Sequence, residues 1–407
     1  MRFFNVIFKR FNMIQLIQEI LYILVGYMIF FISFLIKRDK KKWVFGYKKQ
    51  FKDNVKYLYV YLLNNHKEIT TIWISSSRSL VKEMRRNDYP VYYKYSLKGL
   101  YHCLTAGIYF TVINSNYVNY FTSGGAKRVN LWHGIGIKAM AESKSTPADD
   151  SLISRICMPY AYEKYDLFLS TTPLLDQVFK KTFKLSDNQI YHGIYPRCEF
   201  MRQDKNLLAD YIEMYENSLM RDLIRRMKSF DKVYIYMPTW RLNLGKKILN
   251  YALPDLARVN EVLKKEKALL ILKLHESVSY NTFESDLENV VYMNPNMDLY
   301  PVLPFTDVLI TDYSSIYYDY LLMEKKGVII YDFDYESYIE KEFPFYVDFK
   351  KYTPGLHVCT FDELIGAFEK NDGFLLDEKS RNWILAEMWG NYKLNSNEKL
   401  VEELKNL

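Results

Sequence analysis

Five short stretches of this chain put polar residues straight after apolar, β-branched runs. The most informative is Leu309-Ile310-Thr311-Asp312-Tyr313-Ser314-Ser315-Ile316-Tyr317-Tyr318-Asp319. An apolar strand ends there in a polar turn, and a helix is expected from the serines onward. Free N–H groups, a positive dipole end and two hydroxyls suit a diphosphate. The same residues serve equally well as an ordinary helix cap. In the second stretch, Asn130 to Lys138, a strand runs into a loop containing His133, Gly134 and Gly136. Histidine is the side chain most readily poised as a base near neutral pH, although a histidine at a strand end also serves as a structural hydrogen-bonder. The third is Tyr236-Met237-Pro238-Thr239-Trp240-Arg241, whose guanidinium suits bidentate phosphate binding or a plain surface position. The fourth, Leu272-Lys273-Leu274-His275-Glu276, sets His275 at another strand end, and the fifth is the turn Gly193-Ile194-Tyr195-Pro196-Arg197. Together they put His, Arg, Ser and Gly at strand ends in both halves of the chain, the expected rim of an interdomain cleft. Asp332-Phe333-Asp334 has the spacing of a carboxylate pair that holds a divalent ion against a diphosphate. A metal is not favoured, and no other cofactor is indicated.

Strands and helices must position these residues. Runs at 43–47, 70–75, 89–95, 107–115, 129–133 and 167–170 read as buried strands, with helix-like stretches at 53–65 and 79–86 between them. A charged helical stretch at 205–228 follows, then a second set of strands at 233–237, 268–274, 290–293, 308–311 and 328–331, and a helical tail from about 378. Alternation of this kind predicts an α/β fold with parallel, doubly wound sheets. The expected division is a membrane-associated segment at 1–42, one Rossmann-like domain at 43–210, a second at 211–385, and a terminal helix at 386–407.

The chain has 407 residues, too many for one ordinary core and a natural size for two such domains. Its net charge of +7 suits phosphate-bearing ligands or an anionic membrane. No zinc-finger, helix-turn-helix or RNP pattern points to nucleic acid. The four cysteines, Cys103, Cys157, Cys198 and Cys359, have no CxxC pair, so neither a zinc site nor a disulfide framework follows, and a reducing compartment is the simplest expectation. Residues 20–36 carry no charge, and five of the six residues at 37–42 are basic. Upstream, Phe4, Ile7, Phe8, Phe11 and Ile14 share one helical face. These features predict membrane attachment, as a short span or re-entrant anchor or as a helix lying in the interface, with the rest of the chain on the cytoplasmic side.

The order of these motifs resembles the CDP-glycerol glycerophosphotransferase family of teichoic acid and capsule synthesis. Trp132, His133, Gly134 and Lys138 match its W-H-G-x-x-x-K pattern; Pro238 to Arg241 match P-T-W-R; Leu274 and His275 match its L-H; Asp307 to Ser315 match D-V-L-I-T-D-Y-S-S, with Asp319 following. Gly193, Tyr195, Pro196 and Arg197 approximate its G-Y-P-R turn with one extra residue. Gly136 stands where the family usually has proline, and Cys198 and Glu199 replace its usual Asn or Asp residues.

The resemblance implies a GT-B fold with a membrane-associated helix, and transfer of glycerol phosphate from CDP-glycerol to a lipid-linked or polymeric glycan. It implies His133 and His275 as catalytic residues, and Ser314 and Ser315 as holders of the donor diphosphate. Gly134, Lys138, Arg197, Thr239, Arg241, Asp312 and Asp319 are expected around the substrates. CDP-ribitol as donor, or a nucleotide sugar on the same fold, are the alternatives.

Overall fold

A computed structural model describes residues 13–138, 151–241, 244–274, 287–393 and 396–407. Two expectations fall outside these residues: His275, and the amphipathic stretch with Phe4, Ile7, Phe8 and Phe11.

The described chain opens with helix α1 (Met13–Ser33) and then builds a seven-stranded sheet. Its strands are β1 (Asp39–Phe45), β2 (Thr70–Ser75), β3 (Val91–Tyr93), β4 (Ala106–Thr111), β5 (Lys127–Asn130), β6 (Leu167–Ser170) and β7 (Ile190–His192). Every pairing is parallel, in the order β3-β2-β1-β4-β5-β6-β7. Helices α2 (Asn54–Asn65), α3 (Arg78–Arg86), α4 (Leu97–Thr105), α5 (Leu152–Cys157), α6 (Pro173–Phe183) and α7 (Pro196–Met201) belong to this half. Two helices, α8 (Lys205–Tyr215) and α9 (Ser218–Met227), lead to a six-stranded sheet. Its strands are β8 (Lys232–Met237), β9 (Ala268–Leu272), β10 (Val290–Tyr292), β11 (Val308–Thr311), β12 (Gly327–Tyr331) and β13 (Leu356–Val358), parallel in the order β10-β9-β8-β11-β12-β13, and among its helices are α10 (Leu256–Lys265) and α11 (Ile316–Leu321). Strands such as β9, β11 and β12 are buried at every residue, as strands covered on both faces must be.

Both sheets reverse direction at one place: between β1 and β4 in the first, between β8 and β11 in the second. Ligands of open α/β sheets bind outside the carboxyl ends of the strands at such switch points. The motif loops after β8 and β11 leave from that point of the second sheet, and β1 and β4 end at that point of the first.

The halves are bolted together. Lys56 on α2 is buried between Asp298 and Glu216, at 2.7 Å from each, and Tyr57 donates to Asp298 at 2.8 Å. Residues 136–138 join the other half through Tyr346, whose N–H donates to Ile137 O at 3.1 Å and whose hydroxyl donates to Gly136 O. The tail forms two helices, α12 (Glu378–Trp389) and α13 (Asn397–Lys405), where one was expected from 386 on; Gly390 caps the first with a positive φ of 52°. Trp389 donates to Tyr318 O in the second half, while Thr171 in the first donates to Met388 O. A continuous apolar cluster runs from Phe45 and Phe110 of the first sheet to Leu309 and Val328 of the second.

The basic run at 37–42 leads into β1, where Asp39, Lys40 and Lys41 are exposed and burial begins at Lys42. Arg38 turns inward and donates to the carbonyls of Ser33, Cys103, Ala106, Thr122 and Gly124, which ties the end of α1 to the sheet.

Candidate active site

His133 follows β5 by three residues, because the strand ends at Asn130. Trp132 before it has a positive φ of 52°, a conformation that costs a bulky residue energy unless the surroundings hold it. Those surroundings are specific. Asn130 accepts from Trp132 N–H at 2.8 Å, and buried Asn54 donates to Leu131 O and Trp132 O at 3.2 and 2.8 Å. The Nδ1 of His133 lies 3.1 Å from Val112 O. A carbonyl only accepts, so Nδ1 carries the proton and Nε2 keeps its lone pair. Desolvation by the cleft walls is the largest influence on the ring and holds its pKa below the ordinary histidine value, against the raising effect of Asp53; Arg197 and Lys48 reinforce the lowering. The residue as a whole remains exposed to solvent. Its imidazole is neutral at pH 7, with its free nitrogen defined.

A cavity of about 630 Å³ is lined by neighbours of His133, though not by His133 itself. Asp53, Arg197 and Lys48, the three side chains that act on the charge of His133, all line it. So do Lys138, Thr239, Trp240, Lys273, Ser314 and Ser315. Its floor is thus formed by residues following β1, β8, β9 and β11, from both sheets. Gly134 makes the junction possible: its φ is +139°, and a Cβ there would stand 3.0 Å from both Ser315 Oγ and an Arg197 nitrogen.

Four lysines give the cavity its sign. Lys48, Lys52, Lys138 and Lys273 face it, while its two carboxylates are already engaged, Asp53 by Arg197 and Asp298 by Lys56. Burial pushes Lys138 down to about 8, with Arg241 adding to the lowering and Asp312 opposing it. An arriving phosphate would restore that charge. The buried Thr239 hydroxyl has no hydrogen-bond partner among the described residues, so it is available to a ligand oxygen. The serines lead into α11 (Ile316–Leu321), a six-residue helix. With so short a helix, the hydroxyls and local N–H groups carry the anion-binding argument more than any macrodipole does.

This geometry fits a phosphoanhydride bound in front of a base. The sequence model of the family described as CDP-glycerol:poly(glycerophosphate) glycerophosphotransferase matches residues 27–401. The chain belongs to this family. A teichoic acid poly(glycerol phosphate) polymerase of Bacillus spizizenii is 28% identical over 390 residues, spanning 92% of this chain and 95% of that one. The teichoic acid ribitol-phosphate polymerase TarK of Staphylococcus aureus is 32% identical over 256 residues, which are 60% of this chain and 46% of that one. In fold, the chain is similar to the wall teichoic acid polymerase TagF, with a TM-score of 0.73 at 17% identity, covering 97% of this chain and 98% of that one. The likeness agrees with the expected GT-B-like arrangement of two parallel sheets.

Not every motif residue of this glycerophosphotransferase-family chain reaches the cavity. Arg241 is buried and held by its own protein: Nε and Nη2 bind Asp334 at 2.8 and 2.9 Å, Nη2 binds Asp312 at 2.8 Å, and Nη1 donates to Thr239 O at 2.6 Å. Asp312 also accepts from Thr239 N–H at 2.9 Å. These two residues shape the loops after β8 and β11; the expected bidentate phosphate clamp is not formed by Arg241 here. Asp319 is buried beneath the site, accepting from Arg197 and from the Tyr300 hydroxyl at 2.7 Å each. Arg197 does face the cavity, yet it also donates to Asp53 at 2.8 Å and His133 O at 3.0 Å. It ties the base to the second half. Of the two carboxylates with metal-site spacing, Asp334 holds Arg241, and Asp332 holds His357 at 3.1 Å. Gly136, where the family favours proline, has open space around its Cβ direction.

Lys48, Lys52, Asp53 and Asn54 were missed by the sequence reading. Their one signal was a basic, polar turn directly after the first strand, the same strand-end logic that picked out the other motifs.

Proposed function

We propose that the protein transfers glycerol phosphate from CDP-glycerol to a hydroxyl of a lipid-linked or polymeric cell-surface glycan, in teichoic acid or capsule synthesis, with release of CMP. The observation that carries this reading is the lysine- and hydroxyl-lined cavity where the two switch points meet, with Arg197 of its lining bound to His133 O and the ring's Nδ1 held by Val112 O. The acceptor oxygen forms a bond to the phosphorus that bears glycerol. The bond from that phosphorus to the bridging oxygen breaks, and CMP leaves with the electron pair. His133 takes the acceptor proton. Lys138, Thr239, Ser314 and Ser315 bind the diphosphate and the charge spread over it in the transition state. His275 takes the donor phosphate or protonates the leaving group; the family pattern supports its inclusion. The chemistry as written needs no metal.

The same proposal puts the enzyme on the cytoplasmic face of the cell membrane. One side of α1 packs on the protein through Phe30, stacked on Tyr120, and Gly26, against Phe121. The other exposes Leu21, Leu24, Val25, Met28, Phe31 and Ile32. Among the described residues no helix is long and apolar enough to cross a membrane, and a helix with one packed and one apolar exposed face suits attachment in the interface.

A CDP-ribitol donor is the second reading, favoured by the similarity to a ribitol-phosphate polymerase. The test offers the purified chain CDP-glycerol and CDP-ribitol separately with a lipid-linked disaccharide and weighs the products. A gain of one or more glycerol phosphates, with equal CMP, is expected. A ribitol phosphate gain alone, or transfer only from a nucleotide sugar, overturns the reading.

A further inference from the structure

Two further cavities in the first half of the protein are linked to the active-site cavity, each to the next, by a shared lining residue. Lys48 lines the active-site cavity and also an adjoining one of about 420 Å³ with Lys49, Lys94 and Tyr117. Tyr95 lines that second cavity and also a third, of about 430 Å³, with Arg78, Lys82 and Arg85. The two outer cavities thus hold six cations, and neither has a carboxylate in its lining. Such an imbalance is unusual in a chain with 55 basic and 48 acidic residues.

Lys94 is the sharpest case. It is buried, and desolvation pushes it down to about 8. Its ammonium donates to Asn116 O at 2.6 Å, with Asn116 Oδ1 at 3.5 Å. No carboxylate pairs with it among the described residues, and an ammonium has three donors to place. Aromatic rings prop several of the cations along the trough: Arg78 lies 4.5 Å over Tyr93, Lys94 5.6 Å over Tyr95, and Lys48 5.3 Å over Tyr47. Tyr95, where the second and third cavities meet, interacts through its hydroxyl with that of Tyr22 on α1.

We propose that this trough binds the phosphodiester chain of the acceptor and leads its terminal hydroxyl to His133. The inference rests on the glycerol phosphate transfer proposed above. One donor diphosphate accounts for the lysines of the active-site cavity, Lys48 included, and leaves the other five outer cations without a ligand. A chain bearing one negative charge per repeat matches a row of separate cations. A flat layer of lipid headgroups does not, because it would not reach the buried Lys94. The contact of Tyr95 with Tyr22 also sets the trough next to α1, the helix proposed to lie at the membrane that holds the acceptor.

The test uses the full chain with detergent-dispersed, lipid-linked disaccharide acceptors of two kinds, one carrying a single glycerol phosphate and one a short glycerol phosphate oligomer. The variants are the exposed triple Lys49→Ala/Arg78→Ala/Lys82→Ala and the charge-keeping triple Lys49→Arg/Arg78→Lys/Lys82→Arg. The alanine triple should raise KM for the oligomer about tenfold, the scale of three exposed charge contacts. It should leave KM for CDP-glycerol and for the single-unit acceptor near the wild-type values, and the charge-keeping triple should restore oligomer use. Equal effects on both acceptors, or none, overturn the trough while CMP release still supports the transfer reaction. Loss of binding to anionic vesicles with oligomer KM unchanged assigns the cations to lipid headgroups and overturns it too. If the wild type releases no CMP from CDP-glycerol with either acceptor, both readings fall.

Discussion

A histidine acts as a base at neutral pH only if it stays unprotonated and presents the right nitrogen. Val112 O fixes the second condition at His133, and desolvation fixes the first. In the proposed reaction Lys138 works in the opposite sense, since it keeps its proton to hold phosphate. Its pKa of about 8 in the free enzyme predicts that kcat/KM falls as pH rises through about 8, and that Lys138→Arg moves this limb upward. A profile flat to pH 10 would remove Lys138 from the site. Asn54→Ala tests the scaffold under the base. It frees the carbonyls of Leu131 and Trp132, so kcat should fall while KM for CDP-glycerol changes little, with a stability loss of about 1–3 kcal/mol. The histidine was legible in the sequence because glycines and a strand end surrounded it. Asn54 was not, because its bonds to 131 and 132 join segments far apart in the chain and nothing local marks them. Arg241 shows the reverse: its motif was legible, but only the fold reveals that Asp312 and Asp334 already hold the guanidinium.

Most elements could be read from buried, β-branched runs, since strands covered on both faces leave a strong local signal. β13 escaped because it is three residues long and its first residue, Leu356, is exposed. Within the run at 37–42, Arg38 has a role that no local pattern marks: half-buried, it donates to five carbonyls, four of them from residues 65 to 86 positions away in the chain. The exposed face of α1 carries the membrane proposal by itself. Met28→Glu/Phe31→Glu alters two exposed side chains, so the fold should persist while sedimentation with anionic liposomes is lost. Unchanged sedimentation would mean that α1 is not the attachment element.

At the scale of the whole molecule, the two halves make one catalyst because buried charges hold them in register. Arg197 joins Asp53 and His133 O of the first half to Asp319 of the second. Removing one partner of a buried pair leaves the other uncompensated, at a cost of about 3–5 kcal/mol. Asp319→Ala should therefore lower stability in urea denaturation by about that much, whereas Asp222→Ala, which breaks the exposed pair with Arg225, should change it by less than about 1 kcal/mol. Equal losses would mean that Arg197 and Asp319 do not join the halves. No sequence pattern announced this bolt, since its members are scattered from 53 to 319. The account's central claim is that a base from the first half and serines from the second act on one phosphoanhydride. Single-turnover CMP release from CDP-glycerol with a lipid-linked acceptor tests it most directly. His133→Ala is predicted to slow that release by about 100- to 10,000-fold and Ser314→Ala/Ser315→Ala to weaken donor binding; near-normal release from the His133→Ala enzyme would contradict it.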